Sequence, residues 1–259
     1  MPKLIAFDID GTLLNTKGEV LPSTIEAIEQ LRNAGHLVTI ATGRSYFLAE
    51  KIITGLNFEN YLLLNGAAGF INHKQVVKEL LNPESFAKLV HFSNTLGVDI
   101  SYQNLYEIHR FQKEATTPIQ EAMASFRAEV PSYDPEFYLE NEIYQGIIYS
   151  DTSFDEAFKK ENFSAFDFVR WHPYGVDVIP ANNSKARGLL KMLAHEHLTV
   201  DDLIVFGDGL NDREMLQAAG TGVVMGNAVD DVKKYGNLIT KTNNEDGIYH
   251  ALKKLQLIQ

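Results

Sequence analysis

"LIAFDIDGTLL", residues 4–14, is the stretch on which the fold turns. Leu4–Phe7 is an unbroken apolar run, the pattern of a strand buried on both faces of a parallel sheet. Asp8 and Asp10 follow where that strand leaves the core. Two like charges this close repel, and each favours its neutral form unless something cationic compensates. Their position therefore asks for a positive partner.

Outward from this stretch the chain alternates strand and helix. Ser23–Ala34 carries Ile25, Ile28 and Leu31 at helical spacing, with Ser23 expected as N-cap, Glu26 completing a capping box and Gly35 as a stop. Leu37–Ala41 reads as the second strand, Ser45–Thr54 as a helix and Tyr61–Leu64 as the third strand. Phe70–Glu79 reads as a hairpin around Asn72-His73-Lys74, and Pro83 opens a helix. From there to about Ile179 the pattern is richer in aromatics, with short strands at Glu142–Tyr149, Asp167–His172 and Val176–Ile179. Near Ser184 the first rhythm returns with a helix over Lys185–Glu196 and a strand over Leu203–Phe206. Strands alternating with helices imply parallel pairing and right-handed crossovers. The expected fold is α/β: a doubly wound parallel-sheet core made of residues 1–82 and 182–259, with an α+β module, residues 83–181, inserted between them.

Composition narrows the function. The 259 residues contain no cysteine, which removes disulfides and thiolate metal sites and suits a cytoplasmic protein. The amino terminus enters a strand after three residues, so no signal peptide is expected. No apolar stretch reaches the roughly 20 residues of a membrane helix, and no membrane partner is expected. A net charge of −11 argues against a nucleic-acid surface. An anionic substrate must then be drawn by local cations.

The carboxyl ends of the expected core strands share one property. Asp8 and Asp10 follow the first; Thr42, Gly43 and Arg44 the second; Asn65 the third; Gly207, Asp208, Asn211 and Asp212 the strand Leu203–Phe206. Ligands bind at this edge of an open parallel sheet, where strand order reverses. Each segment alone has a structural account: Asp-Gly as a turn, "ATGR" as a strand end with Thr42 capping a helix, "GDGLND" as a turn whose aspartates cap the helix from Arg213. Four together on one rim are harder to explain that way. Lys185, in "NNSKARG", stands in a first helical turn, where a cation is disfavoured, so a specific partner is expected.

Asp8, Asp10 and Asp208 can supply oxygen ligands to a hard octahedral cation, which describes Mg²⁺. A carboxylate beside that ion is a competent nucleophile towards phosphorus. Asp10 can protonate a leaving alkoxide and then deprotonate the hydrolytic water. Thr42 and Lys185 would hold the remaining phosphoryl oxygens. Asn211 and Asp212 fit as further metal contacts or as the groups that orient the ligands. The eight histidines are scattered and join no cluster.

The ordered set "DIDGT", "ATGR", "SKARG" and "GDGLND" resembles the haloacid dehalogenase-like (HAD) phosphatase superfamily over essentially the whole chain. The long insertion resembles the type IIB cap of its Cof-type subfamily, and "LNGA" (Leu64–Ala67), "MGNA" (Met225–Ala228) and "EDGI" (Glu245–Ile248) are similar to secondary signatures of that subfamily. The resemblance implies Asp8 as nucleophile and Asp10 as general acid/base. It implies Thr42, with Gly43 beside it, and Lys185 as phosphate binders, and Mg²⁺ held by the side chains of Asp8 and Asp208 and the backbone carbonyl of Asp10. The aspartate at position 10 points to phosphatase or phosphomutase chemistry. The expected substrate is a small phosphomonoester such as a sugar phosphate, nucleotide or phosphorylated cofactor, read by the cap, with Arg44, Asn65, Asn183, Arg170 and Trp171 as candidate contacts. Two rivals stand beside it: a phosphohexomutase of the phosphomannomutase type, and a phospho-ligand-binding regulator without catalysis. A Rossmann dehydrogenase is disfavoured, since no G-x-G-x-x-G follows the first strand.

Overall fold

The computed structural model describes residues 2–125 and 128–259. Its strands are β1 (Leu4–Phe7), β2 (Leu37–Ala41), β3 (Asn60–Leu63), β4 (Ala68–Ile71), β5 (Lys74–Lys78), β6 (Asp99–Gln103) and β7 (Ile108–Arg110). They continue with β8 (Ser132–Tyr133), β9 (Gln145–Tyr149), β10 (Phe166–His172), β11 (Gly175–Pro180), β12 (Leu203–Gly207), β13 (Thr221–Val224) and β14 (Leu238–Ile239). The chain divides into two compact units. One comprises Met1–Gly43, Glu50–Lys78 and Ser184–Gln259; the other comprises Arg44–Ala49 and Glu79–Asn183.

The first unit is built on an eight-stranded sheet in the order β14-β13-β12-β1-β2-β3-β4-β5. Pairing is parallel from β14 to β3, and the β4–β5 hairpin adds two antiparallel strands. β1 lies at the centre with β2 on one side and β12 on the other, in register Phe7↔Phe206. Successive strands leave β1 in opposite directions, so the switch point of the doubly wound sheet falls between β1 and β12. Leu4, Ile5, Ala6 and Phe7 are all fully buried, as a central parallel strand demands. The β4–β5 turn is Asn72-His73, both at positive φ, the twist that a two-residue hairpin requires.

The second unit carries a six-stranded sheet in the order β10-β11-β9-β6-β7-β8, antiparallel except for β7–β8. One face packs Ile100, Tyr102, Ile148 and Val178 against Phe86, Leu89 and Val90 of the helix Pro83–Thr95. On the other, Ile147 and Tyr149 meet Ile119, Ala122 and Met123 of the helix Thr117–Ser125. No helix among the described residues is long and apolar enough to cross a membrane.

Two local readings need correction. Ser23 is not an N-cap: the helix spans Pro22–Asn33, Leu21 precedes it, and Pro22 occupies the first turn, where its fixed φ and missing N–H cost nothing. The Ser23 hydroxyl instead donates to Asp246. β6 was not expected as a strand. Its alternate residues Asp99, Ser101 and Gln103 are polar yet buried, so no apolar run announces it.

Candidate active site

The turn after β1 is closed by backbone bonds from Leu13 N to the Asp8 carbonyl (3.1 Å) and from Leu14 N to the Ile9 carbonyl (2.9 Å). Gly11 makes it possible: φ is +83°, and a Cβ there would lie 2.2 Å from Asp208 Oδ2. This close approach seats Asp208, at the end of β12, against the β1 turn. Asp8 is tied to the neighbouring strand by its N–H, which donates to the Phe206 carbonyl at 3.0 Å. The carboxyl oxygens of Asp8, Asp208 and Asp212 gather within 4.8 Å of one another. The Asp10 side chain stands outside this group and is exposed.

Lys185 opens the helix Lys185–His195, after Ser184, whose hydroxyl caps it. Its Nζ donates to Asp8 Oδ1 at 2.6 Å and to Asp212 Oδ1 at 2.7 Å, with the lysine side chain 1% exposed. The two carboxylates offset the unfavourable placement of a cation at a helix start. Asp212 is fully committed. Its Oδ2 accepts from the N–H groups of Asp208 (3.0 Å) and Gly209 (2.8 Å), so it clamps its own turn rather than capping the next helix.

Asp208 has a hydrogen-bond donor on each oxygen: Thr12 Oγ1 on Oδ1 at 2.8 Å and Asn227 Nδ2 on Oδ2 at 3.3 Å. Neither residue had been assigned a role from the sequence, although Thr12 ends "DIDGT" and Asn227 lies in "MGNA". Thr42 is buried (1% exposed) at the end of β2, and its carbonyl accepts from Asn65 N at 3.0 Å. Asn65 packs its amide against Gly43 and accepts from Asn211 Nδ2 at 3.3 Å. The structure thus brings buried Asp8, Asp212 and Lys185 together with half-buried Asp208 in the first unit, and Asn65 to Asn211 and Gly43. Arg44, Asn183, Arg170 and Trp171 belong to the second unit. There the Arg170 guanidinium donates to the carbonyls of Ser150 and Pro173 and to Asp155, and Trp171 Nε1 donates to Asp177.

Electrostatically the group is short of positive charge. Burial, then the charge of Asp212, drives the Asp8 carboxyl well above the usual carboxylate range, despite Lys185. Asp208 is pushed up to about 6, chiefly by burial, with Asp212 and Asp10 adding to it against the Thr12 hydrogen bond. Burial works against the Lys185 ammonium, yet the charges of Asp212 and Asp8 outweigh it and raise its pKa above the ordinary lysine value. Three carboxylates lie around one buried ammonium, which bonds to two of them. The carboxylate oxygens of Asp8, Asp208 and Asp212, with unbalanced negative charge, form a group that could hold a hard divalent cation.

A parallel sheet with this cluster at its switch point, and an α+β unit inserted in its sequence, defines a class of hydrolase. The family model for haloacid dehalogenase-like hydrolases matches residues 5–252. YkrA of Bacillus subtilis, which carries the name "putative phosphatase", is 33% identical over 258 residues, 99% of each chain. Among solved structures, the HAD phosphatase BT1666 of Bacteroides thetaiotaomicron aligns with a TM-score of 0.91 at 28% identity, over 100% of this chain and 96% of that one. The HAD subclass IIB sugar phosphatase BT4131 aligns with a TM-score of 0.86 at 28% identity, over 99% and 100%. The chain belongs to the haloacid dehalogenase-like hydrolases. Within them it is a Cof-type phosphatase, a phosphoric monoester hydrolase.

Proposed function

We propose that this protein is a Mg²⁺-dependent phosphatase that hydrolyses small phosphomonoesters, sugar phosphates among them, through an aspartyl-phosphate at Asp8. The observation that carries the reading is the Lys185 bridge between Asp8 and Asp212, with Asp208 alongside, at the switch point of the sheet. The side chains of Asp8 and Asp208 and the Asp10 carbonyl would hold Mg²⁺, with Asn211 and Asp212 around them. The ion supplies charge neutralisation, which keeps the buried carboxylates ionised and draws electron density from the phosphoryl group.

The remaining steps belong to the chain's own residues. An Asp8 carboxylate oxygen attacks phosphorus in line, and the bond from phosphorus to the ester oxygen breaks. Asp10, exposed on the turn, gives its proton to the departing alkoxide. It then takes a proton from water, which attacks phosphorus and breaks the Asp8–phosphorus bond, releasing phosphate and regenerating Asp8. Lys185 and Thr42, beside Gly43, hold the phosphoryl oxygens whose charge is redistributed in the transition state. The sequence of the inserted unit selects the leaving group, and the sugar phosphatase title of BT4131 supports a sugar phosphate as one class.

The test is hydrolysis of p-nitrophenyl phosphate and a sugar-phosphate panel with Mg²⁺, then with EDTA. Borohydride quenching during turnover, followed by mass spectrometry, should find homoserine at position 8. Turnover that persists in EDTA, or a quenched enzyme unmodified at Asp8, refutes the mechanism.

A further inference from the structure

Asp208 is a carboxylate whose two oxygens are held from two different segments. Thr12, 2% exposed on the β1 turn, donates Oγ1 to Oδ1 at 2.8 Å. Asn227, on the loop after β13, donates Nδ2 to Oδ2 at 3.3 Å and also to the Gly11 carbonyl at 2.8 Å. Its own Oδ1 accepts from Asn243 N at 2.9 Å, which fixes the plane of the amide. Asn243 in turn donates Nδ2 to the Leu14 carbonyl at 2.7 Å, and Asn244 accepts from the N–H and hydroxyl of Thr16. The segment around 241–246 thus holds the β1 turn through side-chain amides.

We propose that Thr12 and Asn227 form a two-point clamp that positions the Asp208 carboxylate for the divalent cation. The inference rests on the metal-dependent reading of the site above. Each carboxylate oxygen has two lone-pair directions. With one on each oxygen spent on the clamp, the other pair is aimed by two rigid contacts instead of sweeping freely about the side-chain torsions. Hydrogen bonds of this kind to a ligating carboxylate typically change metal affinity by about 10- to 100-fold. Asn227 is the informative half. It is exposed, so its truncation opens no cavity, though it also releases the Gly11 carbonyl and the Asn243 N–H, whereas Thr12 is buried and is best replaced by its isostere.

The experiment measures Mn²⁺ binding to the full chain by electron paramagnetic resonance of the free ion, without substrate, alongside thermal unfolding in EDTA. Asn227→Ala and Thr12→Val should each weaken Mn²⁺ about tenfold or more, and the double variant by less than the product of the two. Asn243→Ala, which frees only the Leu14 carbonyl, should lower the unfolding temperature and leave Mn²⁺ affinity within about twofold of wild type, well short of the clamp effect. Affinity retained in both clamp variants, or lost equally in Asn243→Ala, overturns the clamp. A wild type that binds no Mn²⁺, or an Asp208→Asn variant that binds it as well as wild type, overturns the metal reading beneath it.

Discussion

Lys185 Nζ lies 2.6 Å from Asp8 Oδ1 although 177 positions separate the two residues in the chain. The same ammonium reaches Asp212 at 2.7 Å, and both carboxylates are buried. A single buried cation shared by two acids, with a third acid beside them, has consequences for stability as well as for chemistry.

Asp8→Asn should separate the two. On p-nitrophenyl phosphate with Mg²⁺, kcat is expected to fall by about three orders of magnitude or more, the usual cost of losing a nucleophile. The metal-free protein should nevertheless melt about 2–4 °C higher, because burial and Asp212 make the wild-type carboxylate costly. Calorimetry in EDTA checks the second half.

Lys185→Met acts in the opposite direction. It leaves Asp8 and Asp212 buried without their shared cation, and breaking such a buried pair costs about 3–5 kcal/mol. Urea unfolding at pH 8 should show a lowered midpoint, and lowering the pH should recover part of the loss as Asp8 takes up a proton.

Asp208, beside Asp8, contributes to the pH dependence of metal-free stability. Its carboxyl titrates near 6 in the folded protein against an ordinary 3.8, so the folded state binds the proton more tightly than the unfolded chain. Stability from this group is full below the ordinary value and is lost as pH rises through about 6. Melting temperatures in EDTA should therefore fall between pH 4 and 6 by a margin that Asp208→Asn reduces, a window of about two pH units. Saturating Mg²⁺ should flatten that margin, because the ion favours the ionised form. An unchanged slope in Asp208→Asn would assign the fall elsewhere, for instance to Asp99 of the second unit, which burial also pushes up to about 6.

Gly66→Ala should be costly for two reasons that act together. The residue has φ of +97°, and a Cβ would stand 2.2 Å from the Ser184 carbonyl, at the start of the helix that carries Lys185. A loss of about 2 kcal/mol or more in denaturant unfolding is expected. Activity should fall with it, since the clash displaces Ser184 and with it Lys185.

Arg170→Ala should reveal a structural residue. Its guanidinium spans the Ser150 carbonyl at 2.8 Å, the Pro173 carbonyl at 2.9 Å and Asp155 at 2.5 Å. Unfolding of the second unit is expected to shift by about 1–3 kcal/mol, with the KM for p-nitrophenyl phosphate little changed. A large rise in KM at unchanged stability would return Arg170 to the substrate contacts.

Much of the architecture was legible because periodicity is local. The apolar run Leu4–Phe7 reads as a central strand from four residues, and the return of the alternating pattern near Ser184 marks the second half of the core. What escaped the sequence was decided by partners far along the chain. Ser23 looks like a helix cap from its neighbours, yet its hydroxyl is taken by Asp246, 223 positions away. β6 resisted recognition because the second unit covers both faces of its sheet, so Asp99, Ser101 and Gln103 are buried on a face that a half-exposed strand would turn to water.

The sequence by itself determined which residue types stand at the ends of the core strands, and hence the acids, amides and lysine available to the site. Only the tertiary structure decided how they combine: Asp212 rather than Asp10 in the buried carboxyl group, Lys185 shared between two acids, Thr12 and Asn227 on Asp208. The physical reason is one of scale. Strand and helix periods are set by residues a few positions apart. The ångström-level meeting of side chains depends on sheet register, on turn dihedrals such as that of Gly11, and on packing contributed by both ends of the chain.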